Sequence, residues 1–424
     1  MRSLYSLLLY LLMPTVLLYL LFRGLRSREY LSRWSERFGI FHPPERNGGI
    51  WIHAVSMGEV NAAIPLIRAL EKKYPDSHLT ITTFTPTGSA RVQEEFGDRA
   101  FHVYSPLDLP GSVSRFFDRV RPRLAIIMET EIWPNLLHQV SRQNVPCIIA
   151  NARISDHSIG KYRRFRRLTR GALKRVSHIA AQSRKDADRL VSIGAAKDRV
   201  TVTGNLKFDI QLPDGLVEEG QAIRAAWGED RPIFVAGSTH EPDEKVLLPA
   251  FLSLLQAFPD ALLVLVPRHP ERFERSAQLA KASGLAVSRL SEDAGCPADT
   301  QCFVVDAMGE LLRYYAAGDV AFVGGTFAEI GGHNLLEPAA LSRPVIVGPH
   351  TFNAPDITAQ LVDAGAAVQL ENEQAVGTAL VKWFGDPARI AEMGRAGLDR
   401  VQSGQGAVDR TLVLIESVFT EAAG

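Results

Sequence analysis

Cysteine is scarce in this chain: three in 424 residues, Cys147, Cys296 and Cys302, with no C-x-x-C pair. That scarcity argues against a disulfide framework and a structural zinc site, and points to a reducing compartment. Net charge is absent too, since 47 Lys and Arg balance 47 Asp and Glu. A chain without a positive surplus lacks the overall electrostatic signature of a nucleic-acid binder. Familiar nucleotide and metal signatures are also missing. There is no G-x-x-x-x-G-K-[ST], no H-E-x-x-H, and no G-x-G-x-x-G after an apolar run. No short repeat or low-complexity tract appears. What remains has an ordinary globular composition, 46% apolar and 22% charged, in a chain too long for one core. Two domains are therefore expected.

One apolar run stands apart. Leu4–Phe22 carries no charge and is rich in Leu, Tyr and Val. As a helix it would measure about 28 Å, close to the roughly 30 Å hydrocarbon core of a bilayer. Arg2 precedes it and Arg23, Arg26, Arg28 and Arg33 follow, so the positive-inside rule leaves the bulk of the chain in the cytoplasm. No small-x-small cleavage site follows, which disfavours a removed signal peptide. Pro14 allows a kink or a shallow interfacial insertion in place of a full span. A second feature is the segment Lys161–Arg175, with eight cations, no acid, and Phe165, Leu168 and Leu173 interleaved. A solvated helix face would explain scattered charge. Uncompensated charge beside an anchor fits an anionic lipid surface or a phosphorylated substrate better.

The rest alternates short apolar runs with helical stretches. Strands are expected at Ile50–Val55, Leu79–Thr83, Ala100–Tyr104, Leu124–Met128, Cys147–Ala150, His178–Ala181 and Val200–Thr203. The pattern lapses between Asp209 and Asp230, where Pro213, Asp214, Gly215 and Gly228 mark a connection. It resumes at Ile233–Ala236, Leu262–Val266, Ala286–Arg289, Cys302–Val305, Val320–Val323 and Val345–Val347. Such alternation predicts α/β architecture: two doubly wound domains, each a parallel sheet covered on both faces, with a cleft between them. The expected division is an anchor over 1–24, a first domain over 25–210, a connection over 211–230, a second domain over 231–405 and a terminal helix over 406–424.

Chemistry is expected at the carboxyl ends of the strands, where ligands bind in open α/β sheets. The run Ile50–Val55 enters a helix through Ser56-Met57-Gly58-Glu59, and Val60, Ile64, Ile67 and Leu70 form its apolar stripe. Glu59 therefore sits at a sheet edge, where it either complements the helix dipole or takes part in catalysis. Glu129 and Glu131 follow Leu124–Met128, either as a cap pair before Pro134 or with one acid facing the cleft. Asn151, Arg153 and Lys207 occupy the same edge, and Lys207 leads into the connection, where it could meet an anion. In the second domain Gly237–Glu241, Arg268-His269, Asp306–Glu310, Gly324-Gly325-Thr326 and Gly331–Pro338 crowd one edge. Glycines before a helix start let backbone N–H groups approach a phosphate, and Arg268 adds donors. Glu337 could bind ribose hydroxyls. Asp186-Ala187-Asp188 resembles a metal-binding D-x-D but lies in the helical stretch Arg184–Ser192, where a solvated face is expected. No dedicated metal site is inferred.

Together these motifs resemble the Kdo transferase family, which moves 3-deoxy-manno-octulosonic acid (Kdo) from its CMP donor to the lipid A precursor. The resemblance runs almost end to end, through His53–Glu59, Glu129–Asn135, Gly204–Asp209, Pro267–Phe273 and Gly331–Glu337. It implies a GT-B fold of two Rossmann-like domains, the first for the acceptor and the second for the nucleotide. A terminal helix, Ala407–Phe419, would cross back onto the first. It implies an inverting, metal-independent transfer to the tetra-acylated lipid A precursor in lipopolysaccharide biosynthesis, with no cofactor. Glu59 would be the general base, kept ionised and weakened by its helix N-terminus, with proton removal coming late in a dissociative transition state. Glu129 (or Glu131) and Lys207 would stabilise that state. Arg268, His269, Met308, Gly309, Glu310, Asn334, Leu335, Leu336 and Glu337 would hold CMP. The enzyme would sit on the cytoplasmic side of a bacterial inner membrane, its anchor and Lys161–Arg175 on anionic lipid. A lipid A disaccharide synthase, a nucleotide-sugar epimerase or an idle membrane-surface binding protein are the competing readings.

Overall fold

The computed structural model describes residues 1–26, 28–292 and 295–421. Ser27, Asp293, Ala294 and the end of the expected 406–424 helix lie outside the described residues. The chain forms two compact units, Met1–Asp209 with Gly404–Gly424, and Ile210–Ser403.

The first unit is built on seven strands: β1 (Ile50–His53), β2 (Leu79–Thr83), β3 (Ala100–Tyr104), β4 (Leu124–Met128), β5 (Cys147–Ala152), β6 (His178–Ala181) and β7 (Val200–Val202). They pair in parallel in the order β3-β2-β1-β4-β5-β6-β7. Because successive side chains point to opposite faces, each strand feeds two cores. Ile50 and Ile52 join one with Leu124 and Ile126, while Trp51 joins the other with Ala125 and Ile127. The first core is capped by helices Met57–Lys73, Pro86–Phe96 and Ala407–Glu421. Pro110–Val120, Pro134–Arg142, Arg166–Leu173 and Arg184–Ile193 cover the second. On the strands the Trp51 indole donates to Thr82 Oγ1 at 2.9 Å, and His53 Nδ1 lies 2.9 Å from the same oxygen. N-terminal to all this runs one helix, Arg2–Arg26, long and apolar enough to cross a membrane.

The second unit repeats the plan with β8 (Ile233–Thr239), β9 (Leu262–Pro267), β10 (Val287–Arg289), β11 (Cys302–Val304), β12 (Val320–Val323), β13 (Val345–Val347) and β14 (Ala367–Gln369). Their order is β10-β11-β9-β8-β12-β13-β14, all parallel. Two features depart from expectation. β14 is too short and too exposed at its end to register as an apolar run. The stretch read as a connection over 211–230 contains a helix, Leu216–Trp227, belonging to the second unit. Its bracketing glycines looked like loop punctuation. Gly215 (φ 78°) and Gly228 (φ 106°) instead start and stop the helix, and Leu216 and Trp227 are buried. Gly220 packs so tightly on Ala316 that a Cβ there would come within 2.5 Å of it.

Candidate active site

The strand order reverses between β1 and β4 in the first unit and between β8 and β12 in the second, where β10 and β11 are also exchanged at the far edge. Such switch points open a crevice at the carboxyl edge. Glu59 follows β1, and Glu129 and Glu131 follow β4, so three acids of the sequence reading meet at one switch point.

Ser56 caps the Met57–Lys73 helix, its hydroxyl accepting from Glu59 N at 3.3 Å. Glu59 folds back toward the cap: Oε2 accepts from Val55 N at 2.8 Å and Oε1 from Ser56 Oγ at 3.2 Å. The residue is only 7% exposed. Burial, then the charges of Glu131 and Glu129, push its carboxyl up from 4.5 to about 9 against those two hydrogen bonds. The expectation that the helix N-terminus keeps Glu59 ionised is therefore reversed. A helix dipole at such a site is worth about 0.3–1 kcal/mol, less than one tenfold step. Desolvation and two like charges outweigh it.

Glu129 stands in the left-handed region at φ 52°, its N–H continuing the ladder to Ala150 O. With Thr130, Arg153, Ser155, Ser158 and Tyr162 it lines a cavity of about 180 Å³. Glu131 is held by the Trp133 indole, which donates to Oε2, and burial raises its carboxyl. The two acids thus differ. Glu129 borders the cavity, and Glu131 acts more strongly on Glu59. Lys207 lies in a short turn, Leu206–Phe208, packed against Glu59's helix. Asn151, at φ 55° on a bulge of β5, fixes that turn by accepting from Leu206 N at 3.0 Å. Asp186, expected on a solvated face, instead bridges elements: Oδ1 accepts from Ile154 N at 2.9 Å and Oδ2 from Ser183 Oγ.

At the carboxyl edge of the second sheet His240 follows β8, Arg268 and His269 follow the neighbouring β9, and His333, Asn334 and Glu337 come after β12. His240 and His333 stack at 5.3 Å, their Nε2 atoms 3.0 Å apart, and His269 meets His240 edge-on at 5.5 Å. Burial, with His240, Arg268 and His269 nearby, lowers His333 to about 4, so it is neutral at pH 7. Burial raises the Glu337 carboxyl, opposed by the Asn334 amide at 3.0 Å and by Arg268. Leu335 and Leu336 turn their side chains into the interior at 1% exposure, which leaves only their backbone for a ligand. Leu336 N is already bonded to Asn334 Oδ1 at 3.1 Å. Met308, Gly309 and Glu310 follow β11, with Met308 exposed and Glu310 paired to Arg313 at 2.7 Å. The sequence offers no sign of Asp243, fully buried, which accepts from His240 N, Gly325 N, Phe327 N and Ala328 N at 2.8–3.1 Å. It holds the Gly324–Ala328 loop in shape.

Two parallel α/β units, each with polar groups collected at a switch point, define the GT-B class. UDP-GlcNAc 2-epimerase from Neisseria meningitidis shares the fold, with a TM-score of 0.56 at 13% identity over 88% of this chain and 100% of that one. Sequence carries the assignment further. The family model described as 3-deoxy-D-manno-octulosonic-acid transferase (kdotransferase) matches residues 32–210. The 3-deoxy-D-manno-octulosonic acid transferase of Haemophilus influenzae is 40% identical over 98% of each chain. That of Bordetella pertussis is 38% identical over 90% of each. The chain belongs to the Kdo transferase family, and it is an enzyme that transfers Kdo.

Proposed function

We propose that the enzyme moves Kdo from CMP-Kdo to the tetra-acylated lipid A precursor, by an inverting displacement without a metal, at the cytoplasmic face of a bacterial inner membrane. The acceptor hydroxyl oxygen bonds to the anomeric carbon of Kdo as the bond from that carbon to the phosphate oxygen breaks. CMP leaves with the bonding pair, and the hydroxyl proton passes to the Glu59 carboxylate. The observation that carries this reading is the buried Glu59 carboxyl at the β1/β4 switch point, raised to about 9. A carboxylate raised this far is a stronger base than an ordinary glutamate, and the fraction ready to accept the hydroxyl proton grows as pH rises toward 9. Lys207 and either Glu129 or Glu131 are assigned to charge developing in the transition state. CMP is assigned to Arg268, His269, Met308, Gly309, Glu310, Asn334, Glu337 and the backbone at Leu335-Leu336. Attachment is assigned to the Arg2–Arg26 helix and to Lys161–Arg175, whose cations suit anionic lipid.

Purified enzyme given CMP-Kdo made in situ and the tetra-acylated precursor should yield a Kdo-bearing lipid by mass. None would end the proposal. Glu59→Gln should cut turnover by roughly 10²–10⁴ while CMP still binds. Lost CMP binding would contradict the role given to Glu59.

A further inference from the structure

The Arg2–Arg26 helix is fastened to the first unit at its N-terminal end and packs at its C-terminal end on the turn Arg28–Leu31 that follows it. Its covered positions include Arg2, Ser6, Leu9, Met13, Leu20 and Gly24, a heptad-like stripe from one end to the other. At the N-terminal end Arg2 Nη1 and Ser6 Oγ both donate to Asn135 Oδ1, at 3.1 and 3.0 Å. Tyr5 donates to Asp108 Oδ2 at 2.9 Å. Asp108 also accepts from the N–H groups of Asn135 and Leu136, so this end of the helix docks on the cap of Pro134–Arg142. At the C-terminal end Gly24 is pressed on Leu31, and the Arg23 guanidinium lies 4.4 Å from the Tyr30 ring centroid. A few residues on, Arg33 bonds Ser89 Oγ and His102 O.

These ends are separated by about 35 Å along the helix axis. A spanning helix would carry them to opposite headgroup layers, across roughly 30 Å of hydrocarbon. One water-soluble unit cannot hold both ends in that arrangement. Spanning would strip Arg2, Tyr5 and Ser6 from their partners and leave Asp108 and Asn135 short of theirs. The remaining faces of the helix carry Leu4, Leu7, Leu8, Leu11, Leu18 and Leu21, each 46–68% exposed. No acid occurs in the helix. Pro134–Arg142, which receives its N-terminal end, also packs on Arg166–Leu173 of the basic segment. Arg2, Arg175 and Arg142 all act on His138 in that shared helix. The apolar wall and the cations therefore share a side of the unit, the composition of a surface that enters the headgroup boundary side-on.

We infer that this helix lies in the plane of a single anionic leaflet, docked on its own unit, with both ends on the cytoplasmic side. The inference rests on the membrane attachment proposed above and goes beyond it in fixing topology. It has a consequence for the acceptor. The docked end reaches Asn135, immediately after Glu131–Pro134, so the acid-bearing sheet edge is held at the lipid surface where a lipid-borne hydroxyl arrives.

The test uses the full-length protein, whose native cysteines are all buried. S3C adds a thiol at the exposed N-terminal end, and S141C adds a reference thiol on an exposed position of Pro134–Arg142. Each is treated with a membrane-impermeant maleimide in sealed inverted and right-side-out inner-membrane vesicles. Labelling of both thiols in inverted vesicles alone is expected. Labelling of S3C only in right-side-out vesicles, with S141C labelled only in inverted ones, would overturn the in-plane placement and leave attachment standing. Recovery of the protein in the soluble fraction would overturn attachment, and this inference with it.

Discussion

Glu59 is a residue on which two local rules disagree. A cap position rewards negative charge, and a buried position beside two other carboxylates penalises it. Burial prevails, so the resting carboxyl holds its proton at neutral pH. The ascending limb of kcat/KM against pH should then lie far above the ordinary glutamate range, approaching 9. Glu131→Gln removes the larger of the two neighbouring charges and should move that limb to lower pH. An unmoved limb would refute the coupling. Stability follows with a defined sign. The folded state binds this proton more tightly than the unfolded chain does. Its contribution is therefore complete below about 4.5 and is lost as pH rises through about 9. Glu59→Gln should flatten the fall of Tm across that window, read by calorimetry at several pH values.

At the scale of elements, the donor edge depends on Asp243, whose carboxylate receives four backbone N–H groups. Each such bond to a charged acceptor contributes about 1.5–3 kcal/mol, and a buried N–H left without a partner costs in addition. Asp243→Asn should lower Tm by several degrees and weaken CMP binding, measured by calorimetric titration, while an unaltered affinity would remove Asp243 from any part in shaping the donor loop. Nothing near Asp243 in sequence announces this, because three of its four donors lie more than 80 residues away. Most strands, by contrast, were legible from Val, Ile and Leu runs, since a parallel sheet covered on both faces needs unbroken apolarity. The position of Glu59 was legible from a strand ending at a Ser cap. Its protonation was not, because it is set by burial in the folded unit and then by charges that arrive from the end of β4. The Leu216–Trp227 helix was hidden by the glycines that bound it.

For the molecule as a whole, the first unit is closed by the last helix of the chain. Ala407–Glu421 places Ala407, Val408, Leu412, Ile415 and Val418 in the core shared by β1, β4 and Met57–Lys73. Asp209 caps its start, accepting from Gly406 N at 2.5 Å and Val408 N at 2.6 Å. Arg410 donates to Thr203 O at 2.7 Å. Burying side chains of this kind contributes roughly 1.5–3 kcal/mol each, so their joint loss matches the entire stability of many domains. Ending the chain at Ser403 should leave the first unit unfolded or aggregated, judged by loss of its cooperative melting transition. A first unit that melts normally without the helix would refute this. The same closure constrains how such a gene can be recombined. The second unit is one uninterrupted segment, Ile210–Ser403, whereas the first is split around it. A single crossover near Asp209 would join a foreign terminal helix to a core it was not shaped for. A paired exchange at both boundaries would replace the second unit and leave the first whole, so chimaeras between relatives should survive as cassettes and not as halves.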